Sequence, residues 1–471
     1  MKQKPSLTFA LDRSSDTPLF EQICQAVRKM ANSDGLKKGE ILPATRELSA
    51  DLGVSRSTVI AAYDQLVAEG YLLGKRGAGY EVCSVAGLEM NKLQRPKSVD
   101  TQPAEAGRPL PFEPSQPDMR IFPYRSWAKT LSRVGRTNPQ SLLVGGSAFG
   151  NHDLRCAIAD HVLNWRGISV SPEQVIVTSG AMGALEACLR TLSKSGDGVG
   201  VEDPGYVPLV RYIQAMGLRP QFLQVDDEGA ELPKGTSQPK LTILTPSHQY
   251  PLGGTMSPQR RLEYIKWADQ NNTWIVEDDY DSEFRFAGRP IPAMAGTDRL
   301  KRTIYIGTFS KLFSNAFRLG YAVVPESLVE QFHNCIDTFS MKAGIMPQQI
   351  LAEFFESGEF YKYLRRARRI YAERRDFLLH RLGSDFADFG TFTDNQAGMQ
   401  IVFHLQADLK DTTISELAAK EGVALHPLSA SLSGEGQLNG LILGYCAHTR
   451  QEMEAALLVL RSCFKKAQRA N

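Results

Sequence analysis

The stretch GTFSKLFSNAFRLGYAVVP, residues 307–325, decides the fold of this chain. It places one lysine, Lys311, between two short apolar runs, TIYIG and LGYAVV, that are typical of buried strands. A lone amine between two buried strands is notable, because a charged group normally avoids the interior. The stretch therefore indicates a sheet whose strand ends carry chemistry.

Similar apolar runs alternate with helical stretches throughout residues 108–471. The clearest of them are QVIVTSG, GVGVEDPG, LTILTPS and TWIVEDDY. Continuous apolar strands separated by helices predict an α/β body with a mostly parallel sheet that is covered on both faces. Ligands of such sheets bind outside the carboxyl ends of the strands.

A smaller α+β subdomain is predicted from about residue 344. Its first part is a long charged helix, EFYKYLRRARRIYAERRDFLLHRL, and an apolar run, GMQIVFHL, follows. We expect the arginine run of this helix to be a solvated face or a subunit contact, and not a second nucleic-acid site.

Length and composition predict a modular, folded protein. The chain has 471 residues, 42% of them hydrophobic and 23% charged, which suggests two to three domains. No apolar stretch is long enough to span a membrane and the N-terminus lacks the apolar core of a signal peptide, so we expect a cytoplasmic protein. The seven cysteines form no C-x-x-C pair, so neither a metal site nor a disulfide framework is expected.

Residues 1–83 predict a separate N-terminal domain of three helices and a hairpin. Apolar residues at helical spacing mark the helices, and Ser55 is a capping residue at the start of the third. In the hairpin, YLLGKRGAGYEV, Gly77 and Gly79 permit a tight turn. The polar segment 84–107 between this domain and the body is typical of a flexible linker.

A helix-turn-helix followed by a basic wing would insert its third helix into the major groove of DNA. The net charge of +2 leaves this open, and many three-helix units bind no DNA. However, the segment from PLFEQICQAVRKM to GKRGAGYEV resembles the winged-helix domain of GntR-type bacterial regulators along its whole length. The resemblance implies double-stranded DNA as a partner and a set of contact residues. These are Arg46, Ser55, Arg56, Ser57, Thr58, Arg76 and Gly77.

The strand ends of the body supply each group that pyridoxal 5′-phosphate (PLP) requires in a protein. The candidates are Lys311 for the Schiff base (aldimine), Asp278 for the ring nitrogen, Tyr280 for the ring oxygen and Tyr206 as a stacking plane. The phosphate would be held by Gly180, Ala181, Met182, Thr308 and Arg318. Singly, each has an ordinary explanation as a turn, a cap or core packing, but together they predict a PLP site.

Residues 108–471 resemble fold-type I aminotransferases, and the whole chain is similar to the MocR/GabR branch of GntR regulators. The motifs are VTSGAMGAL, EDPGY, TPSHQYPLGGTMS, EDDYDSEFR and the stretch around Lys311. The resemblance implies a domain-swapped homodimer whose cofactor sites lie at the subunit interface. It also implies that His248 or Gln249 lies near the ring or the substrate.

The sequence departs from this pattern in two places. The branch usually holds a ligand carboxylate with an arginine of the small domain, and none occurs near Ser429–Ser431, although Arg450 and His426 are possible substitutes. Met182 replaces a glutamine that often follows the glycine turn, an exchange that main-chain phosphate binding tolerates.

Two functions from different classes remain open at this point. The first is a transcriptional regulator that senses an amino compound, or PLP itself, through Lys311. The second is a working aminotransferase with an accessory DNA-binding domain, in which Lys311 carries the proton between substrate and cofactor.

Overall fold

The computed structural model describes residues 7, 9–32, 35–75, 79–83, 109–144, 146–235, 237–288 and 291–470. The chain divides into two compact units, Met1–Ala106 and Gly107–Asn471. The segment predicted to be a linker, residues 84–107, lies outside the described residues.

The N-terminal unit contains three helices and a two-stranded antiparallel hairpin. Its elements are α1 (Leu19–Asn32), α2 (Thr45–Leu52), α3 (Arg56–Ala68), β1 (Leu72–Lys75) and β2 (Gly79–Val82). Val59, Tyr63 and Leu66 of α3 are fully buried, as their helical spacing predicts. They pack with Ile23 and Val27 of α1 in one apolar core.

Local sequence sets the turn between α2 and α3. Gly53 ends α2 in the left-handed conformation (φ 62°), which glycine adopts without strain. Ser55 then caps α3, because its side chain accepts a hydrogen bond from the backbone N–H of Thr58 at 3.1 Å.

An eight-stranded mixed sheet forms the centre of the C-terminal unit, in the order β3-β10-β9-β8-β7-β4-β5-β6. Its strands are β3 (Val175–Thr178), β4 (Gly198–Asp203), β5 (Arg219–Asp226), β6 (Gly229–Ala230), β7 (Leu241–Leu244), β8 (Trp274–Asp279), β9 (Thr303–Thr308) and β10 (Gly320–Val323). Neighbours from β9 to β5 are parallel, and β10 is antiparallel to both β9 and β3. The carboxyl ends of β3, β4, β7, β8 and β9 therefore meet at one edge.

Helices accompany this sheet, and buried aliphatic side chains of its strands join two large apolar cores. They are α4 (Tyr124–Thr137), α5 (Gln140–Leu143), α6 (His152–Arg166), α7 (Ala181–Leu192), α8 (Val207–Ala215), α9 (Pro258–Asn271), α10 (Met294–Thr297), α11 (Val329–Thr338) and α12 (Met346–Glu356). The mostly parallel architecture confirms the predicted fold class.

A smaller four-stranded antiparallel sheet follows a 27-residue helix, α13 (Glu359–Asp385). Its strands are β11 (Gly390–Phe392), β12 (Gln400–Leu405), β13 (His426–Pro427) and β14 (Gly440–Gly444), with α14 (Asp411–Lys420) and α15 (Arg450–Ala470) beside them. Buried residues of α13 and α15 share one core with β12 and β14.

Candidate cofactor site and DNA-binding surface

The candidate site lies at the edge where the parallel strands end. Asp278 is the penultimate residue of β8, and Lys311 follows the end of β9 by three residues. β8 and β9 are hydrogen-bonded neighbours, with Asp278 opposite Ile306. The topology therefore brings these two residues from distant parts of the sequence to one place.

Asp278 is a half-buried residue with one carboxylate oxygen in the interior. Its Oδ1 atom is inaccessible to solvent and has no hydrogen-bond partner among the described residues. Burial raises the pKa of Asp278 to about 7, and the charges of Asp279, Glu202 and Asp281 act in the same direction. A cationic group beside this oxygen would restore its ionised form.

Lys311 is a partly buried amine at the same edge. Burial lowers its pKa, and the carboxylates of Asp281 and Asp278 oppose this effect. A lowered pKa increases the neutral fraction, which is the nucleophilic form of an amine. Its Nζ atom donates a hydrogen bond to the carbonyl of Ser115 at 3.2 Å.

A turn lined with backbone N–H groups lies beside Lys311. Gly180 (φ 85°) precedes α7, whose first residues are Ala181 and Met182. A Cβ on Gly320 would lie 3.0 Å from the nitrogen of Ala181, so β10 packs tightly against this turn. The free N–H groups and dipole of the 12-residue helix α7 are suited to a phosphate.

Thr308 and Arg318 lie at the ends of the strands on either side of Lys311. The hydroxyl of buried Thr308 accepts a hydrogen bond from the N–H of Ser310 at 3.2 Å. Arg318 has a left-handed backbone (φ 46°) and forms no ion pair within the described ranges. A Cβ on Gly180 would lie 4.0 Å from Ser310 Oγ, which adds Ser310 to the candidate phosphate ligands.

Three tyrosines line the site. The ring of Tyr206, which is 44% exposed, meets Tyr250 edge-on at a centroid distance of 5.9 Å. Tyr250 meets Tyr280 edge-on at 6.1 Å. Sequence reasoning singled out Tyr206 and Tyr280 but missed Tyr250, although Tyr250 lies in the same TPSHQYPLGG motif as His248 and Gln249.

The hydroxyl of Tyr280 contacts a buried histidine. Tyr280 Oη lies 2.9 Å from Nδ1 of His248, and this nitrogen also lies 3.0 and 3.1 Å from the carboxylate oxygens of Asp281. The pairing of His248 with Asp281 was not predicted, because nothing in the sequence connects two residues 33 positions apart.

Gln249 has its amide group engaged within the protein. Its Nε2 donates to the carbonyls of Tyr250 at 2.6 Å and Pro204 at 2.9 Å, and its Oε1 accepts from the N–H of Leu252. These bonds hold the turn in shape and leave no amide donor of Gln249 for a ring or substrate.

The loop in which an arginine was expected is held by acidic residues. Asp203 accepts hydrogen bonds from the N–H groups of Ser433 and Gly434 at 2.8 and 3.0 Å. Asp411 accepts from the N–H and hydroxyl of Ser429. Arg450 begins α15 on the surface and stacks over a phenylalanine ring.

These residues fit PLP. The unpartnered Oδ1 of Asp278 suits a protonated ring nitrogen, the N–H groups after Gly180 suit a phosphate, and Lys311 suits an aldehyde. When bound, PLP supplies an aldehyde that combines with amines and a ring that withdraws electrons. The chain's own groups would then bind the phosphate, keep a charge at the ring nitrogen and present the amine.

The predicted DNA-binding residues lie at the start of α3 and on α2. Arg46, Ser55, Arg56 and Ser57 are exposed, and Thr58 is half-buried. Ser55 Oγ is occupied as the helix cap and contacts the hydroxyls of Ser57 and Thr58 at 2.7 and 2.8 Å. Arg76 and Gly77 lie outside the described residues.

No helix in the described ranges is long and apolar enough to cross a membrane. Where side chains are described, no group of three or more His, Cys, Asp or Glu residues is arranged to hold a metal ion.

Comparison with known families matches both units. Residues 19–82 match the bacterial regulatory proteins of the gntR family, and residues 114–460 match aminotransferase class I and II. An archaeal alanine:glyoxylate aminotransferase of known structure has a TM-score of 0.71 and 25% identity, over 77% of this chain and 92% of its own.

Two curated relatives match almost the whole chain. One is the probable rhizopine catabolism regulatory protein MocR of Rhizobium meliloti, which is 36% identical over 96% of this chain and 95% of its own length. The other is the HTH-type pyridoxine biosynthesis transcriptional regulator PdxR of Corynebacterium glutamicum, which is 31% identical over 96% of this chain and 97% of its own length.

The fold and the lysine-bearing strand edge define a PLP-binding domain of the aminotransferase class I and II type. The chain belongs to the MocR type of gntR-family transcriptional regulators, in which this domain follows a helix-turn-helix domain. The predicted family, the DNA-binding function and the PLP cofactor are thereby confirmed.

Proposed function

We propose that the protein is a homodimeric regulator whose binding to DNA is controlled at Lys311 by an amino compound or by PLP itself. The observation that carries the proposal is that Asp278, with its buried and unpartnered Oδ1, and Lys311, an amine of lowered pKa, lie at one sheet edge in a chain that also has an exposed helix start for DNA. A competing amine would release Lys311 and replace it as the group attached to the cofactor. A dimer with two stable arrangements would transmit that change to its DNA-binding domains.

The proposal assigns roles to the individual residues. Lys311 is the reacting amine, Asp278 the partner of the ring nitrogen, and Tyr280 a donor to the ring oxygen. The phosphate is assigned to the backbone at Gly180, Ala181 and Met182 together with Thr308, Ser310 and Arg318, and Tyr206 lies against the ring. DNA is assigned to Arg46, Arg56, Ser57 and Thr58, together with Arg76 and Gly77 of the wing.

Self-association is supported by exposed apolar side chains on neighbouring elements of the C-terminal unit. Leu143 and Val144, at the end of α5, are 78% and 62% exposed, and Met346 at the start of α12 is 55% exposed. A Cβ on Gly146 would lie 3.3 Å from Ile345, so these two elements are adjacent. An apolar patch of this kind is typical of an interface. We propose that the domain-swapped arrangement of this family applies to it.

The effector is left as either an amino compound or PLP. The acidic residues that hold the loop from Ser429 to Gly434, where a carboxylate-binding arginine was expected, favour an effector without a carboxylate or PLP itself. The relative whose name concerns pyridoxine biosynthesis supports the second possibility.

The test is the visible absorbance of the purified holoprotein during addition of a panel of amino acids and other amines, with keto product assayed in the same samples. We expect a spectral change without stoichiometric product for at least one amine, or a response to PLP alone. Full conversion to keto acid would contradict the proposal and favour the aminotransferase. Lys311→Ala should abolish the spectral response, whereas Lys266→Ala, which removes an exposed lysine of α9, should not.

A further inference from the structure

The Tyr280 hydroxyl contacts a buried histidine that pairs with a carboxylate. We propose that His248 and Asp281 are positioning residues for Tyr280, which direct its hydroxyl proton away from the protein and toward the ring oxygen of the cofactor. The inference rests on the proposed cofactor site at Lys311 and extends it to residues that do not themselves contact the reacting atoms.

The three side chains meet at one nitrogen atom. Nδ1 of His248 lies 2.9 Å from Tyr280 Oη and 3.0 Å from Asp281 Oδ1. His248 is 4% exposed and Asp281 is 1% exposed. In such a buried place, each polar atom needs a partner within the protein.

The carboxylate decides which tautomer His248 adopts. Nδ1 of His248 is the side-chain atom found within hydrogen-bond distance of the Asp281 carboxylate in the described ranges. An unprotonated Nδ1 would present its lone pair to this carboxylate. The carboxylate would then be buried without a hydrogen-bond donor, which costs about 1–3 kcal/mol or more. Nδ1 therefore carries a proton and donates it to Asp281.

The tautomer fixes what the Tyr280 hydroxyl can do. A protonated Nδ1 accepts no hydrogen bond, so the hydroxyl can at most share the Nδ1–H with Asp281 and cannot donate to Nδ1. No other acceptor for Tyr280 Oη occurs in the described part of the chain. The hydroxyl proton is thus available to a ligand in the site.

Two glycines hold the imidazole in this orientation. A Cβ on Gly398 would lie 2.0 Å from Cε1 of His248, and one on Gly253 would lie 3.2 Å from Nε2. Both glycines have left-handed backbones (φ +87° and +79°), which side chains rarely adopt. The ring therefore fits a slot that no larger residue could line.

The experiment measures how the visible absorbance of the holoprotein depends on pH. A hydroxyl donated to the ring oxygen lowers that oxygen's affinity for protons, so Tyr280→Phe should raise the midpoint of the transition by about one pH unit. His248→Leu should raise it similarly, because Asp281 loses its donor and the Tyr280 hydroxyl becomes available to it. His248→Asn, whose amide N–H can replace Nδ1–H, should keep the midpoint of the unmodified protein.

A double variant separates positioning from a general structural effect. If His248 acts through Tyr280, His248→Leu should produce no further shift in the Tyr280→Phe background. Asp278, Glu202 and Tyr250 also face Tyr280 and remain unchanged in every variant. The control is His333→Leu, which removes a half-exposed histidine of α11.

Three results would overturn the inference. They are an unshifted midpoint for His248→Leu, an equal shift in the Tyr280→Phe background, and a ¹⁵N spectrum of the unmodified protein in which His248 carries its proton only on Nε2. The spectrum requires no substituted protein to fold. If the unmodified protein shows no visible band with PLP, the proposed function fails as well; if the band is present and only the His248 results differ, the proposed function stands.

Discussion

Asp278 and Asp279 are consecutive carboxyl groups with different partners. Because successive side chains of a strand point to opposite faces, only one of them can face the site. Asp279 is paired with Arg166 at 2.8 Å and accepts a hydrogen bond from Tyr305 at 2.7 Å. Asp278 has no such partner at Oδ1, so Asp279 supports the fold and Asp278 is the acid that we propose for a ligand.

The residue-scale prediction is that Asp278→Asn removes a pH-dependent part of the stability of the cofactor-free protein. Burial raises the pKa of Asp278 to about 7, whereas an unfolded aspartate titrates near 3.9. The protonated group therefore favours folding below about pH 4, and this contribution is lost as the pH rises through about 7. The free energy of unfolding of the unmodified protein, relative to the variant, should decrease between pH 5 and pH 8.

Urea unfolding of both apoproteins across this pH range measures the difference directly. Glu202, whose pKa burial also raises to about 7, interacts with Asp278, so the difference between the two proteins reports the titration of Asp278 together with its effect on Glu202. Asp227→Asn, at an exposed position, should give a pH-independent difference. A constant difference for Asp278→Asn as well would contradict the assignment of Asp278 as the buried, unpartnered acid.

Sequence reasoning reached some of the site residues and missed others for a physical reason. Lys311, Asp278 and Tyr280 carry their chemistry in local motifs at strand ends. Tyr250, the His248–Asp281 pair and the contact of Lys311 with Ser115, 196 residues away, depend on how distant segments meet. Such contacts have no local pattern.

At the scale of elements, apolar continuity predicted the buried strands β3, β4, β7, β8, β9 and β10. The strand β5, Arg219–Asp226, was not singled out, because it lies near the sheet edge with most of its residues exposed or half-buried. A strand of this kind lacks the continuous apolar run of a central parallel strand. The predicted start of α3 at its capping serine is confirmed.

The element-scale prediction concerns the exposed start of α3. Arg56→Ala should weaken binding to a specific DNA duplex by about 1–3 kcal/mol if the side chain reaches a base edge. If the side chain reaches a phosphate, the loss of affinity should be smaller. The slope of log affinity against log salt concentration should then decrease by about one. Either outcome supports α3 as the recognition helix.

Fluorescence anisotropy with a duplex selected from a random pool, at several salt concentrations, distinguishes these outcomes. Lys29→Ala removes the same charge from the exposed last turn of α1 and should change the affinity little. Unchanged affinity and salt dependence for Arg56→Ala would exclude this helix start from the DNA contact. The visible spectrum of the holoprotein should be the same in both variants.

At the scale of the whole molecule, the chain divides into two compact units. The N-terminal unit has its own apolar core and an exposed helix start. The C-terminal unit has a strand edge suited to PLP, and Asp203 and Asp411 hold the loop from Ser429 to Ser433 in which an arginine was expected. This combination is consistent with the proposed control of DNA binding.

The most direct test of control through Lys311 is the affinity of the protein for its selected duplex, measured for the apoprotein, for the holoprotein with PLP, and for the holoprotein with an amine that changes its spectrum. We predict at least a fivefold change in affinity, about 1 kcal/mol of coupling. Lys311→Ala should bind the duplex but show no change, and Lys266→Ala should respond like the unmodified protein. A full response in Lys311→Ala, or none in the unmodified protein, would contradict control through Lys311.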